Sequence, residues 1–227
     1  LIRAPEMFWN VMRRECGYAS AELDGARPPD DPVSEPDDSP MGRLCHASLL
    51  ITADADAQWR TFLHSPMQVW ARMHALVDDG PERGRPRDHD TVSDPLHLGL
   101  LPPTTEVTSR LAALAQVIVI SRAPAVLVAA VAHAELAVVR PFASGSYLIA
   151  RATPRMVLRA RDADPLGASS LEVGQRQVGR VRYVQALRNY ASGSVTGLVD
   201  YLATYRLWTV TGIERTIAAV SALNAGK

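Results

Sequence analysis

The stretch AHAELAVVRPFASGSYLIAR, residues 132–151, decides how the rest of this chain is interpreted. It leaves an apolar segment, crosses a loop of glycine and serine, and enters a segment rich in arginine. Gly145 and Ser146 stand where a following helix would begin. A loop of this kind can bind an anion, because its free amides and the helix dipole point at the ligand. A plain junction between two helices has the same composition, so both interpretations stay open.

The longest apolar run, residues 124–139, comes directly before this loop. It is too short to span a bilayer comfortably, and it carries His133 and Glu135. We therefore predict a helix buried on nearly all sides in the core, and no membrane contact. Inside such a helix, His133 is predicted to be a core histidine whose hydrogen bonds are satisfied.

Composition narrows the class of protein. The chain has 227 residues, enough for one domain with a full hydrophobic core, and its 24 basic residues balance 24 acidic ones. A net charge of zero gives no reason to expect nucleic acid or a membrane as a partner. Cys16 and Cys45 sit in no metal-ligand spacing and the histidines share none on one helix, so no metal site is expected. We predict reduced thiols in a cytoplasmic protein.

Two stretches are predicted to be loops. The segment 26–40 is acidic and rich in proline, which removes backbone donors and restricts the residue before it. The segment 78–103 mixes glycine, proline and both charges, and its end, residues 91–103, could form a small β-hairpin or an extended flap. These loops divide the chain into an N-terminal helix, 1–25, the acidic loop, 26–40, and a helical domain, 41–227.

Apolar residues at helical spacing dominate the remainder and no strand alternates with a helix, so we predict an all-α fold. A proline pair followed by Thr104 and Thr105 announces one helix, with a threonine as its cap. Another is predicted from about Ser146 to Ala160. The other helices are predicted at residues 5–22, 41–55, 57–63, 67–77, 124–139, 177–190 and 194–223.

The stretch 132–151 resembles the core of the Fic family (Fic/Doc, Fido fold). Its members read alanine-His-Ala-Glu/Gln-aromatic and then, a few residues later, H-P-F-x-D/E-G-N-G-R-x-x-R. The lead-in AHAE matches at residues 132–135, and the motif itself matches at Pro141, Phe142, Ala143, Gly145 and Arg151. The likeness is best over residues 98–159. It implies a Fic-like helical bundle that, in the family, transfers AMP from ATP with the help of magnesium.

Five motif positions depart from the family pattern. Arg140 stands in place of the histidine that takes the proton, and an arginine cannot act as a base near neutral pH. Ser144 replaces the acid that holds magnesium, and a hydroxyl is a poor substitute for a carboxylate on a hard cation. Ser146 replaces the asparagine, Tyr147 the second glycine and Leu148 the first arginine. We therefore expect no catalytic residue and no cofactor, with Tyr147 as a plug in the former nucleotide pocket.

A second resemblance concerns the N-terminal helix. Many Fic proteins carry an inhibitory helix with the pattern S/T-x-x-x-E-G/N, whose glutamate pairs with the second motif arginine. SAELDG supplies Ser20, Asp24 and Gly25 at that spacing, and Arg151 is present at the partner position. The resemblance therefore predicts that Asp24 or the neighbouring Glu22 pairs with Arg151. The alternative is that these acids lie in a solvated loop.

Arginines crowd the segment after the loop. Arg151, Arg155 and Arg159 recur every four residues and so share one helix face. The span 151–188 holds eight arginines against three acidic residues, a formal charge of +5. This face could receive an anionic ligand, nucleic acid or the chain's own acids, although no aromatic-and-basic motif favours nucleic acid. A solvated basic face is the expected outcome.

These observations lead to three hypotheses. The first is a catalytically degenerate Fic-like protein, a pseudoenzyme that acts as a binding or regulatory module for an unknown protein partner. The second is an enzyme of altered chemistry, a nucleotidyl- or phosphate-group transferase, for which alone ATP and magnesium are expected. Its ligand would bind through Arg140, Ser144, Gly145, Ser146 and Arg151. The third is a structural subunit of a larger complex, which includes a homo-oligomer.

Overall fold

The fold is built from helices, as the sequence predicts. The computed structural model describes residues 5–31, 33–99 and 101–225, and the secondary structure within those ranges consists of nine helices with no strand. Residues 91–99, the flap, contain a turn at residues 95 and 96 and no strand, so the hairpin alternative is not found there. The helices are α1 Pro5–Leu23, α2 Pro40–Phe62, α3 Pro66–Val77, α4 Thr104–Ile120, α5 Ala125–Val139, α6 Ser146–Ala160, α7 Leu171–Val178, α8 Arg180–Ala191 and α9 Val195–Ala225.

Helices α5 and α6 form the centre of the molecule. Most of α5 is buried, from Val128 to Val139, as expected for a helix that is apolar on all sides. Helix α6 packs against α5 and α2, and α9 packs against α7 and α8. The loop that joins α5 to α6 therefore lies between central elements. In the described ranges, no helix combines the length and apolar character needed to cross a membrane.

Residues 171–176, for which the sequence predicts no helix, form helix α7 together with residues 177 and 178. It packs closely on α9 at Gly174. A Cβ added there would lie only 1.9 Å from the carbonyl oxygen of Trp208, so a glycine is needed for this contact. Gly179, with φ of 103°, separates α7 from α8, so the helix predicted from residue 177 to residue 190 is divided at that residue.

Two further boundaries differ from prediction. Helix α4 begins at Thr104 with Pro103 as its N-cap, and no side chain caps it, so the predicted threonine cap is wrong. The two segments predicted at 41–55 and 57–63 are one continuous helix, α2. Ser39 caps α2, since its hydroxyl accepts a hydrogen bond of 3.0 Å from the amide of Gly42.

The acidic loop is fastened to α1. Arg14 donates a hydrogen bond of 2.8 Å to the carbonyl oxygen of Ser34 and pairs with Glu35 at 3.0 Å. The hydroxyl of Tyr18 donates to the same carbonyl at 2.7 Å. These contacts tie the loop to the helix that carries Ser20 and is followed directly by Asp24.

Candidate functional site

The α5–α6 loop is tightly closed. Helix α5 ends at Val139, and Arg140 takes the left-handed conformation with φ of 44°. Gly145, with φ of 67°, precedes α6, which begins at Ser146 as predicted. The hydroxyl of Ser146 accepts from the amide of Phe142 and donates to its carbonyl oxygen, both at 3.0 Å. Ser146 therefore closes its own loop and has no hydroxyl proton left for a ligand.

The carboxylate of Asp94, in the flap, receives three hydrogen bonds and one ion pair. Tyr147 donates from its hydroxyl at 2.7 Å, and the guanidinium of Arg140 forms the ion pair at 2.9 Å. The backbone amides of Leu98 and Gly99 each donate at 3.1 Å. Burial alone would raise the pKa of Asp94, but the hydrogen bonds from Tyr147 and the two amides outweigh it and, with Arg140, hold the pKa below its ordinary value.

Arginine side chains also hold the backbone of the flap. Arg140, which is only 1% exposed, donates to the carbonyl oxygen of Gly99 at 2.6 Å. From α8, Arg188 donates to the carbonyl oxygen of His97 at 2.8 Å, and Arg180 donates to that of Pro95. The flap is thus fixed between the α5–α6 loop and α8.

Arg87 ties the base of the flap to the same loop. Its side chain is buried and donates to the carbonyl oxygens of Arg140 at 2.9 Å and Pro102 at 2.6 Å. Its amide donates to the carbonyl oxygen of Pro141 at 2.8 Å. No sequence pattern indicates this role, since Arg87 lies in a stretch that mixes charges of both signs.

Ser144 is bonded to Asp78, the residue that follows α3. The two oxygens are 2.5 Å apart, and the other Asp78 oxygen accepts from the amide of Gly80 at 2.8 Å. These hydrogen bonds lower the pKa of Asp78, the one from Ser144 most of all. Ser144 therefore donates to a carboxylate, which is too weak a base to make its hydroxyl a nucleophile.

His74 completes this corner of the site. Its Nδ1 accepts from the amide of Gly84 at 3.0 Å, so the ring proton lies on Nε2, which faces the Asp78 carboxylate at 3.3 Å. Burial lowers the pKa of His74 against the opposing effect of Asp78. The imidazole points at Asp78, whereas a nucleophilic triad would need it at the Ser144 hydroxyl.

Arg151 is paired with Asp24, as the resemblance predicts. Its Nη2 lies 2.7 Å from the Asp24 carboxylate, its Nε donates to the Ser20 hydroxyl at 2.7 Å, and both charged side chains are buried at 0% and 4% exposure. Burial raises the pKa of Asp24, while Arg151 acts in the opposite direction. Glu22, the other predicted candidate, instead pairs with Arg176 at 2.8 Å.

On α6 the expected solvated arginine face is not found, whereas Arg180, Arg182 and Arg188 on α8 are exposed. Arg155 is 9% exposed and lies 3.5 Å from Glu172 and 3.6 Å from Asp56, and Arg159 lies 3.9 Å from Asp56. The physical reason is that α6 is surrounded, so each arginine meets an acid on a neighbouring helix. Asp56 belongs to α2 and Glu172 to α7, so neither acid comes from the acidic loop.

His133 is the core histidine that the sequence predicts. It is fully buried in α5, with Nδ1 at 2.8 Å from the Tyr201 hydroxyl and Nε2 at 2.9 Å from the Tyr183 hydroxyl. Burial, together with the charge of Arg151, lowers the pKa of His133 to about 3. The imidazole is therefore neutral at physiological pH and serves the core.

One group of metal-ligand type exists among the described residues, at Glu82, Asp88 and His89. No sequence pattern predicts this group, because the loop, rather than regular spacing on a helix, brings these residues together. Nδ1 of His89 accepts from the amide of Thr91 at 3.2 Å, so the ring proton lies on Nε2 and points at Glu82, 2.9 Å away. A metal on Nε2 would require the opposite tautomer. We interpret the group as a histidine–glutamate hydrogen bond.

Comparison with known proteins identifies the fold. No protein-family model matches the chain, and no curated protein sequence matches it. Among solved structures, a Fic family protein from Desulfovibrio desulfuricans G20 superposes with a TM-score of 0.65 at 16% sequence identity, over 93% of this chain. The chain has the Fic fold. It spans 66% of the length of that protein, and at this identity the likeness establishes the fold alone.

Within this Fic fold, three aspartates from separate segments hold the candidate residues. They are Asp24 at the end of α1, Asp78 after α3 and Asp94 in the flap. Each accepts a hydrogen bond from a side chain of the α5–α6 loop or of α6. Only Asp24 was expected from the sequence, since Asp78 and Asp94 lie in a long loop whose path tertiary packing decides.

Proposed function

We propose that this Fic-fold chain lacks AMP-transferase activity and acts as a binding or regulatory module for a protein partner. The observation that supports the proposal is the set of three aspartates around the α5–α6 loop. A triphosphate needs uncompensated cations and free donors. Here Arg151 is neutralised by Asp24, and Arg140 is neutralised by Asp94. An incoming phosphate would meet carboxylates at close range, which is unfavourable.

The residues around the loop do not fit a magnesium nucleotide, and no reaction step is derived through one. At the position of the metal-binding acid stands Ser144, and the Asp78 carboxylate beside it already accepts from Ser144 and Gly80. At the position of the catalytic base stands Arg140, which has no lone pair with which to take a proton. Neither cofactor binding nor proton transfer is therefore supplied by these side chains.

Tyr147 supports the proposal from the steric side. Its side chain is buried and fills the space between α6 and the flap, where its hydroxyl is used by Asp94. The family pattern has a glycine at this position, which allows the backbone to approach phosphates. A buried tyrosine replaces that approach with a packed interior.

In this proposal the surface of the molecule, rather than a pocket, binds the protein partner. Cys16 and Cys45 are buried free thiols, which supports a reducing compartment such as the cytoplasm.

Isothermal titration calorimetry with ATP, ADP and AMP, with and without magnesium, tests the proposal. We expect no binding heat and no transfer of labelled AMP to the chain or to added proteins. The single variant Asp94→Asn, which removes the charge that neutralises Arg140, is the positive comparison. It is expected to gain affinity for phosphates, and circular dichroism checks that it is folded under the conditions of the titration. Magnesium-independent binding to the unaltered chain that Arg140→Ala abolishes would contradict the proposal and favour an enzyme of altered chemistry.

A further inference from the structure

The C-terminal helix α9 presents an apolar outer face. It has 31 residues and is therefore about 46 Å long. Its inner face is buried against the rest of the fold through residues such as Tyr201, Tyr205 and Trp208. Its outer face leaves Val210 43% and Ile217 59% exposed. β-branched side chains repeated along one solvent-facing helix surface are more than the isolated apolar residues that any surface has.

The outer face is complementary to itself when reversed. Ala203, Leu207, Val210, Ile213 and Ile217 recur at intervals of three and four residues, so they lie on one side of the helix. Ala203 and Ile217 are equally far from Val210, as are Leu207 and Ile213. In an antiparallel pair of α9 helices centred on Val210, the small Ala203 would face the large Ile217.

The charges on this face follow the same symmetry. Arg206 and Glu214 lie four residues on either side of Val210, and both are exposed. Neither has an ion-pair partner among the residues that the structure describes. In the reversed pairing, Arg206 of one copy lies opposite Glu214 of the other, and this happens twice. Opposite charges that meet across a contact fix its orientation and register.

We propose that α9 is a docking surface for a second copy of this chain, with two α9 helices packed antiparallel across a two-fold axis at Val210. A two-fold contact uses the same patch on both copies, which is what the self-complementary pattern of sizes and charges provides. The central seam, residues 203–217, is about 21 Å long by the rise of a helix. This is small beside the roughly 800 Å² per partner of stable complexes, so the dimer is expected to form only at micromolar concentration or above.

Cysteine cross-linking tests the register. Cys16 and Cys45 are buried, so an engineered thiol is the exposed one. Val210→Cys places two thiols on the axis, and mild oxidation is expected to give a disulfide-linked dimer. The matched control is Val199→Cys, which is also exposed, but whose two copies would lie about 33 Å apart along the seam by the helix rise. Cross-linking at position 199 that is as fast as at position 210 would overturn the proposal.

Charge reversal tests the partner. Sedimentation velocity over a range of concentrations should show dimer for the unaltered chain. Arg206→Glu or Glu214→Arg alone is expected to reduce the association at least tenfold, because like charges would then meet twice. The double variant is expected to restore it. All these positions are exposed, so the circular dichroism spectrum should not change. A chain that stays monomeric at all concentrations, or association that the reversals leave unchanged, would overturn the proposal.

Discussion

The hydroxyl of Tyr147 and the carboxylate of Asp94 lie 2.7 Å apart, so the first turn of α6 is bonded directly to the flap. The bond joins a residue that departs from the Fic motif to a residue that the motif does not contain. Because Asp94 also receives the guanidinium of Arg140, one carboxylate serves two of the altered positions at once. The departures from the motif are thus accommodated together.

Tyr147→Phe is predicted to make the fold more sensitive to acid. The hydrogen bond from Tyr147 is the strongest of the interactions that lower the pKa of Asp94. A carboxyl with a lowered folded pKa contributes stability that is present above its unfolded pKa and is lost as pH falls through the folded value. Without the hydroxyl the folded pKa rises, so acid unfolding should begin at a higher pH. Unfolding followed by circular dichroism between pH 7 and pH 2 measures this, and an unchanged midpoint would contradict it.

Asp94→Asn is predicted to lower the free energy of unfolding by roughly 2–4 kcal/mol, because it removes the charge opposite the buried Arg140. An asparagine also has only one oxygen with which to accept the donors that now reach Asp94. Asp90→Asn is the matched control, since it removes an exposed partner of Arg87 and is expected to cost at most about 1 kcal/mol. Urea unfolding at pH 7 compares the two, and equal costs would argue against a central role for Asp94.

Asp24→Asn is predicted to destabilise the chain by roughly 3 kcal/mol, because Arg151 is fully buried and would lose the carboxylate that neutralises it. Glu22→Gln is the matched control. It removes a half-exposed ion pair between Glu22 of α1 and Arg176 of α7, and should cost at most about 1 kcal/mol. Adding Arg151→Met to Asp24→Asn is expected to recover part of the loss, as it removes the unpaired charge. If the double variant were less stable than Asp24→Asn, the cost would have another origin.

His133 is predicted to make stability fall as pH is lowered from about 6.5 towards 3. Its folded pKa is lowered to about 3, whereas the unfolded chain takes up a proton near its ordinary value of 6.5. Between these values His133 is protonated only in the unfolded state. The free energy of unfolding therefore falls by about 1.4 kcal/mol for each pH unit below 6.5. His133→Gln should flatten the dependence of unfolding free energy on pH between 6 and 4. His46→Gln, at an exposed position, is the matched control for the substitution itself.

Much of the fold could be predicted from the sequence, because local patterns carry it. The start of α6 at Ser146 follows from the glycine before it, and the burial of α5 follows from its uniform apolar character. Helix α7 was missed because its buried residues include Glu172 and Gln175, which are polar residues typical of a surface or loop. Tertiary contacts explain their burial: Glu172 pairs with Arg155, and the amide of Gln175 lies 3.3 Å from Nε2 of His133.

The candidate site was predicted less completely. The pairing of Arg151 with Asp24 followed from a resemblance that spans 127 residues of sequence separation. The partners of Arg140 and Ser144 could not be predicted, because Asp94 and Asp78 lie in a loop without periodicity. Local charge also misled the prediction for Arg155, since no sequence pattern reveals which acids a neighbouring helix will present.

Arg87 links the movement of the flap to that of the end of α5. Its side chain donates to the carbonyl oxygens of Val139, Arg140 and Pro102, and so spans the end of α5 and the far end of the loop that contains the flap. The flap cannot lift while these bonds hold, and breaking them would also expose the end of α5. The flap and the α5–α6 loop should therefore exchange their amide protons with solvent at one common rate, as a single cooperative opening unit.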